Sequence, residues 1–207
     1  MAVDETEMAM MFDKLVLASN NQGKQREFAA LLAPLGIQVI SQRELALPEC
    51  PEPHCTFLEN ALAKARHASR LTGLPALADD SGLCVAALDG QPGVLSARFA
   101  GASASDLSNN QLLVERMRDL ENRRAWYVCV LVLLRHADDP QPLVAEGVWH
   151  GEVREQAAGA GGFGYDPHFW LPEYGCSAAE LPADEKNRVS HRGLACRQLL
   201  ARLQDLA

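Results

Sequence analysis

Hydrophobic and polar positions change period several times along this chain, and each change marks an element. Leu15-Val16-Leu17-Ala18 is a short unbroken apolar run and predicts a buried strand. Over residues 24–35, Phe28, Leu31, Leu32 and Leu35 recur at helical spacing, and Gly36 follows as a stop. Residues 38–40 predict a second strand, and the proline-rich polar stretch 49–54 predicts a loop. A helix is predicted over 57–71, with Thr56 and Glu59 spaced as a capping box and Gly73 and Pro75 ending it. Residues 75–78 and 83–88 read as two strands joined by a turn at 79–82. Another helix is predicted over 106–120, with Leu107, Leu112, Leu113 and Met117 as its apolar face. Residues 126–134 predict a long strand, and 143–150 and 151–155 two more. A glycine-rich loop spans 159–164, and the last helix lies within 184–206, starting near Ser190.

Helices and strands alternate early, and strands dominate the middle. That order predicts an α/β fold: a long central twisted mixed sheet flanked by helices, in two lobes with a cleft between them. Loops that follow strands are where such folds place ligands. The 207 residues fit one domain over 14–207, preceded by an acidic, Met-rich leader over 1–13 in which Met10 or Met11 could be the true start.

Composition narrows the function. At 48% hydrophobic, the chain has enough apolar residues for a sizeable core. No segment approaches the ~20 apolar residues of a membrane helix, and the N-terminus lacks the basic start and apolar run of a signal peptide. The expectation is a cytoplasmic protein with no membrane contact. The cysteines at 50, 55, 84, 129, 176 and 196 form no CxxC pair, so thiols are expected rather than a zinc site. A net charge of −8 argues against nucleic-acid binding, which draws its affinity from a basic face. A small, highly charged anion can still bind where the pocket is locally positive, and Lys24, Lys64, Lys186 and Arg192 are candidates to line one.

Five segments carry residue types suited to phosphate and base chemistry. Ser19-Asn20-Asn21-Gln22-Gly23-Lys24 lies between a strand and a helix, where unpaired N–H groups and a lysine suit an oxyanion; an ordinary capped turn has the same look. Asp79 and Asp80 suit magnesium, or a base that takes a proton from water, although neighbours on an extended chain point opposite ways. An aspartate turned onto its own backbone is the plainer alternative. Asn60 and Lys64 are four apart and face one way from their helix. In Gly161-Gly162-Phe163-Gly164-Tyr165-Asp166, the two rings could flank a nucleobase and the carboxylate could bond a base or sugar; a surface loop anchored by its aromatics is the alternative. In Ser190-His191-Arg192-Gly193, Arg192 could grip a phosphate or a purine carbonyl and His191 could donate to the same carbonyl; a helix cap with basic neighbours is the alternative.

Six ordered segments together resemble one family: SNNQGK at 19–24, TFLENALAKARHA at 56–68, ALADDSGL at 76–83, PGVLSARFAG at 92–101, GGFGYDPHF at 161–169 and EKNRVSHRG at 185–193. These are similar to the inosine triphosphate pyrophosphatases, also called Ham1-like or RdgB-like enzymes. The resemblance implies magnesium-dependent hydrolysis of ITP, dITP and XTP to the monophosphate and pyrophosphate, by a homodimer. It implies that Ser19, Asn20, Asn21, Gln22, Gly23 and Lys24 hold the triphosphate, with Lys64 a further phosphate contact. Asp80 is implied as general base and magnesium ligand, with Asp79 beside it and Ser81 touching substrate. Phe163, Gly164, Tyr165 and Asp166 are implied around base and sugar, and Lys186, His191 and Arg192 complete the base and phosphate contacts. One segment departs from the family pattern: Pro51-Glu52-Pro53-His54-Cys55 stands where the family has a Pro-Glu-Glu-Thr-Gly-like stretch, so Glu52, or Glu49, takes the place of its metal-binding glutamate.

Overall fold

The computed structural model describes residues 12–205. The expected leader, and with it the choice between Met1, Met10 and Met11, therefore lies outside the described residues except for Phe12 and Asp13. One seven-stranded sheet runs through the molecule in the order β2-β1-β3-β4-β5-β6-β7. Its strands are β1 (Lys14–Leu17), β2 (Gln38–Ser41), β3 (Ala76–Val85), β4 (Arg124–Leu134), β5 (Leu143–Val153), β6 (Phe169–Leu171) and β7 (Cys176–Ser177). The helices are α1 (Gln22–Leu32), α2 (Phe57–Thr72), α3 (Asp106–Met117), α4 (Ala183–Val189) and α5 (His191–Gln204). β2, β1 and β3 pair in parallel, and every pairing from β3 to β7 is antiparallel. The expected mixed sheet is thus present. Among the described residues no helix is long and apolar enough to cross a membrane.

The helices cover both faces. On one, Phe28 and Leu32 of α1 and Leu199 and Leu203 of α5 bury Leu15, Leu17, Leu77 and Leu131. On the other, Ala61, Ala65 and Ala68 of α2 lie on Val16, Ala76, Ala78 and Val130. The small side chains let α2 sit close to the sheet, so residues of β3 and α2 reach one another. A third cluster holds Leu113 and Met117 of α3 with Tyr127, Trp149, Phe169 and Leu171. It forms a second lobe around the other end of β3 and β4, together with β6 and β7.

Several boundaries differ from those the sequence predicts. Residues 76–85 form one strand with no turn at 79–82, because β4 pairs with it throughout, from Ala76 opposite Leu134 to Val85 opposite Ala125. Gly82 has another purpose: a Cβ there would lie 2.4 Å from the Gly93 carbonyl oxygen and 2.5 Å from Ser96 Oγ, so only glycine lets the 3₁₀ turn Gly93–Arg98 lie on the strand. Likewise β5 is one strand, with Gly151 held opposite Ala125. The last helix is two, broken at Ser190, whose extended backbone (φ −68°, ψ 162°) ends α4 and caps α5. At α2 the predicted capping box is half made. The Thr56 hydroxyl accepts from the Glu59 N–H, but the Glu59 carboxylate accepts from that hydroxyl rather than from a backbone N–H. A reciprocal box forms instead at α3, between Ser105 and Ser108. The 3₁₀ turns and the short β6 and β7 carry no periodicity that a sequence pattern could reveal.

Candidate active site

The turn between β1 and α1 builds the floor of the site. Asn21 caps α1, its Oδ1 accepting from the Lys24 N–H at 3.1 Å. Ser19 Oγ accepts from the Asn21 N–H at 3.2 Å, and Asn20 donates to Glu49 at 2.7 Å. Gly23 lies in the first turn of α1, among its unpaired N–H groups. The Gln22 side chain is not among the described features.

From this floor Lys24 reaches Asp79, with Nζ 2.6 Å from Oδ2. Burial would raise the Asp79 carboxyl, but the charges of Lys24 and Arg192 outweigh it and hold the group below its ordinary range. Asp80 points to the other face of β3, as alternation in a strand requires. There it accepts from Lys64 Nζ at 3.1 Å and Asn60 Nδ2 at 3.3 Å, both from α2. Burial raises the Asp80 carboxyl above its usual range, and Lys64 only partly offsets this. The adjacent aspartates therefore differ: Asp79 is a committed ion-pair partner, while Asp80 is made more basic.

Lys64 also donates to Glu52 Oε1 at 2.8 Å, so carboxylates from two separate segments converge on one cation. Burial would lower the Lys64 ammonium, but Asp80 and Glu52 raise it. Magnesium needs only one or two carboxylates beside phosphate oxygens and water, and Glu52 with Asp80 supplies that number. Among the described residues no three His, Cys, Asp or Glu side chains gather as a ready metal cage. The structure does not bring Asp79 into the Glu52–Asp80 group, and Glu49 is turned to Asn20. A cleft of about 720 Å³ lies among Lys24, Lys64, Glu52, Asp79, Gln42 and Arg98.

A second hollow of about 580 Å³ adjoins it, and Asn21 and Lys24 line both. Phe163, Lys186, His191 and Arg192 form its walls. Phe163 is 58% exposed, with Lys186 Nζ at 5.0 Å and Arg192 Cζ at 5.6 Å from its ring centre, so an aromatic surface lies among cations at the hollow's wall. His191 stacks on Tyr127 at 4.7 Å between ring centres. Burial and the neighbouring Arg192 push its pKa down to about 3, so the imidazole is neutral at pH 7. Its Nδ1 is buried with no hydrogen-bond partner among the described residues.

Of the other predicted base contacts, Tyr165 and Gly164 are tied into the fold, while Asp166 lines the hollow. Tyr165 does not flank the hollow: its ring is buried in the third cluster and its hydroxyl donates to the Ser96 carbonyl at 2.7 Å. Gly164 donates its N–H to Asp106 and accepts from Asn110. Asp166 lines the hollow but is already engaged, accepting from the Phe163 N–H at 2.8 Å and Lys186 Nζ at 2.5 Å. It orders the loop that presents Phe163. Gly162 makes that possible: a Cβ there would lie 2.2 Å from Asp166 Oδ2. Ser81 lies on β3 opposite Cys129 and lines neither hollow. Sequence reasoning missed Arg98, Gln42 and Tyr127, which lie outside the glycine-rich and acidic segments; SARFAG was the only signal for Arg98.

Comparison with known proteins fits this geometry. Residues 15–202 match the Ham1 family. A dITP/XTP pyrophosphatase of Chromobacterium violaceum is 72% identical over 197 residues, covering 95% of this chain and 100% of that protein. One from Bordetella pertussis is 61% identical over 194 residues, covering 92% of this chain and 91% of that one. Among solved structures, a HAM1 protein from Coxiella burnetii superposes with a TM-score of 0.91 at 46% identity, covering 94% of this chain and 100% of the other. Two adjoining hollows, one cationic and one aromatic, thus sit on a fold and sequence shared along nearly the whole length, and the chain belongs to the Ham1 family.

Proposed function

We propose that this chain hydrolyses dITP, ITP and XTP to the monophosphate and pyrophosphate, removing non-standard purines from the nucleotide pool. The observation that carries the reading is the pair of hollows joined at Asn21 and Lys24. One suits a triphosphate and the other a base, and their common edge at the N-terminus of α1 suits the phosphate between them. Relatives at 72% and 61% identity bear the name dITP/XTP pyrophosphatase.

Asp80 is the general base. Its raised basicity and its contacts with Asn60 and Lys64 fix a carboxylate that takes the proton from water as the oxygen attacks the α-phosphorus. The bond to the β-phosphate oxygen breaks, and Lys24 and Lys64 neutralise charge on the departing pyrophosphate. Glu52 and Asp80 are the residues that would hold magnesium, which when bound screens the polyphosphate oxygens and fixes their arrangement. Asp79 sets the place of Lys24 instead of binding metal.

Base choice follows from donors. Arg192 presents only N–H groups, and neutral His191 can present one. A 6-oxo purine accepts from them; the 6-amino group of adenine points its own hydrogens at them and is rejected. Phe163 stacks on the base. Six free thiols fit a reducing cytoplasm. Assembly as a homodimer rests on the family resemblance, and a light-scattering mass of one chain would remove it.

Product analysis in ¹⁸O-water tests the reaction. Label in dIMP, with unlabelled pyrophosphate, is expected from dITP. Release of dIDP and inorganic phosphate would overturn the reading.

A further inference from the structure

Arg98 enters the phosphate cleft from a segment that the reaction described above leaves unused. It ends the 3₁₀ turn Gly93–Arg98, which lies on β3. Ser96 fastens that turn: its hydroxyl donates to the Gly93 carbonyl at 2.6 Å and accepts from the Leu83 N–H at 2.9 Å. Tyr165 holds the Ser96 carbonyl from the second lobe. Asn109 of α3 donates to the Ala97 carbonyl at 3.2 Å and accepts from the Ala100 N–H at 2.8 Å. The backbone that carries Arg98 is therefore bonded on both sides.

Its guanidinium is held far less firmly. Nη1 lies 3.5 Å from Glu52 Oε2, and Nη2 lies 3.4 Å from the Glu52 carbonyl oxygen. Both are at the outer limit of hydrogen bonding, and the side chain is 36% exposed. Lys24 and Lys64 hold their carboxylates at 2.6 and 2.8 Å. Among the cations that line the cleft, Arg98 gives up least on turning to a new anion. Its planar fork also matches two phosphate oxygens at once, which an ammonium cannot do.

We propose that Arg98 is a polyphosphate-binding residue, whose guanidinium leaves Glu52 for the phosphate oxygens when the substrate's triphosphate enters the cleft. The proposal rests on the triphosphate reading of that cleft. It gives the SARFAG segment a role: a turn bonded to β3, α3 and Tyr165 that delivers a movable cation. It also frees a Glu52 carboxylate oxygen when the substrate arrives.

The test is calorimetric titration of the full chain with inorganic tripolyphosphate in EDTA, where a residue that only orients Glu52 for metal has no effect. Arg98→Ala is expected to weaken binding about tenfold or more, the size of one charge-assisted contact. Arg98→Lys should recover part of that loss, and Arg70→Ala, which removes the same charge outside the cleft, should match the unaltered chain. Equal affinity in Arg98→Ala and the unaltered chain overturns the proposal, as does no measurable tripolyphosphate binding by the unaltered chain. Turnover of dITP is measured in parallel: if the unaltered chain leaves dITP intact, the pyrophosphatase reading fails, while the tripolyphosphate affinities still decide Arg98.

Discussion

Asp79 and Asp80 are chemically identical neighbours that the strand sends to opposite faces, and their surroundings divide the work. The Asp79 side chain is 1% exposed and closes on Lys24, so truncation leaves a lysine without its buried partner. Asp79→Ala should cost about 3 kcal/mol or more of stability, read from denaturant unfolding. Asp80→Asn keeps the shape and should lower kcat about 10²–10⁴-fold while nucleotide binding survives. Near-normal turnover in Asp80→Asn would remove the base assignment. His191 supplies a pH prediction. Its pKa of about 3 in the fold lies below the ordinary value of 6.5, so the unfolded chain binds the extra proton first. Its contribution to stability is therefore full above about pH 6.5 and is lost as pH falls towards 3, with a slope of at most about 1.4 kcal/mol per pH unit. Unfolding titrations of His191→Gln should lack this component. An unchanged slope in that variant would show that His191 is not held neutral.

At the scale of elements, the sequence revealed what depends on local periodicity and concealed what depends on neighbours. The apolar face of α1 and the buried run of β4 were readable because each carries its own pattern. β3 was not: Asp79, Asp80, Ser81 and Gly82 are turn-forming residues, and only pairing with β4 keeps them extended. Gly82 reads as part of a turn and is a place of close approach. Gly82→Ala should push the Gly93–Arg98 turn off the strand and cost about 1–3 kcal/mol, seen as a lowered melting temperature. An unchanged melting temperature would mean the turn can move away freely. Tyr165 was misread for a similar reason. A ring beside glycines looks like a ligand contact, but whether it faces inward or outward is decided by Ser96, which is distant in sequence.

Over the whole molecule, the two adjoining hollows draw their walls from different segments. The β1–α1 turn, α2 and the segment around Glu52 line the first, while the loop with Phe163 and the start of α5 line the second. Lys24, Lys64, Phe163, Lys186, His191 and Arg192 were all named from sequence and all line these hollows, because charged and exposed aromatic residues beside turns are conspicuous. Arg98 was passed over because its one signal, the SARFAG segment, marks a resemblance and names no ligand contact. The central claim is hydrolysis at the α-phosphate with selection for a 6-oxo purine. Pyrophosphate release measured at fixed magnesium with dITP, XTP and dATP tests it most directly. Higher kcat/KM for dITP and XTP than for dATP is the result expected; no release from dITP or XTP, or equal rates with dATP, would contradict it.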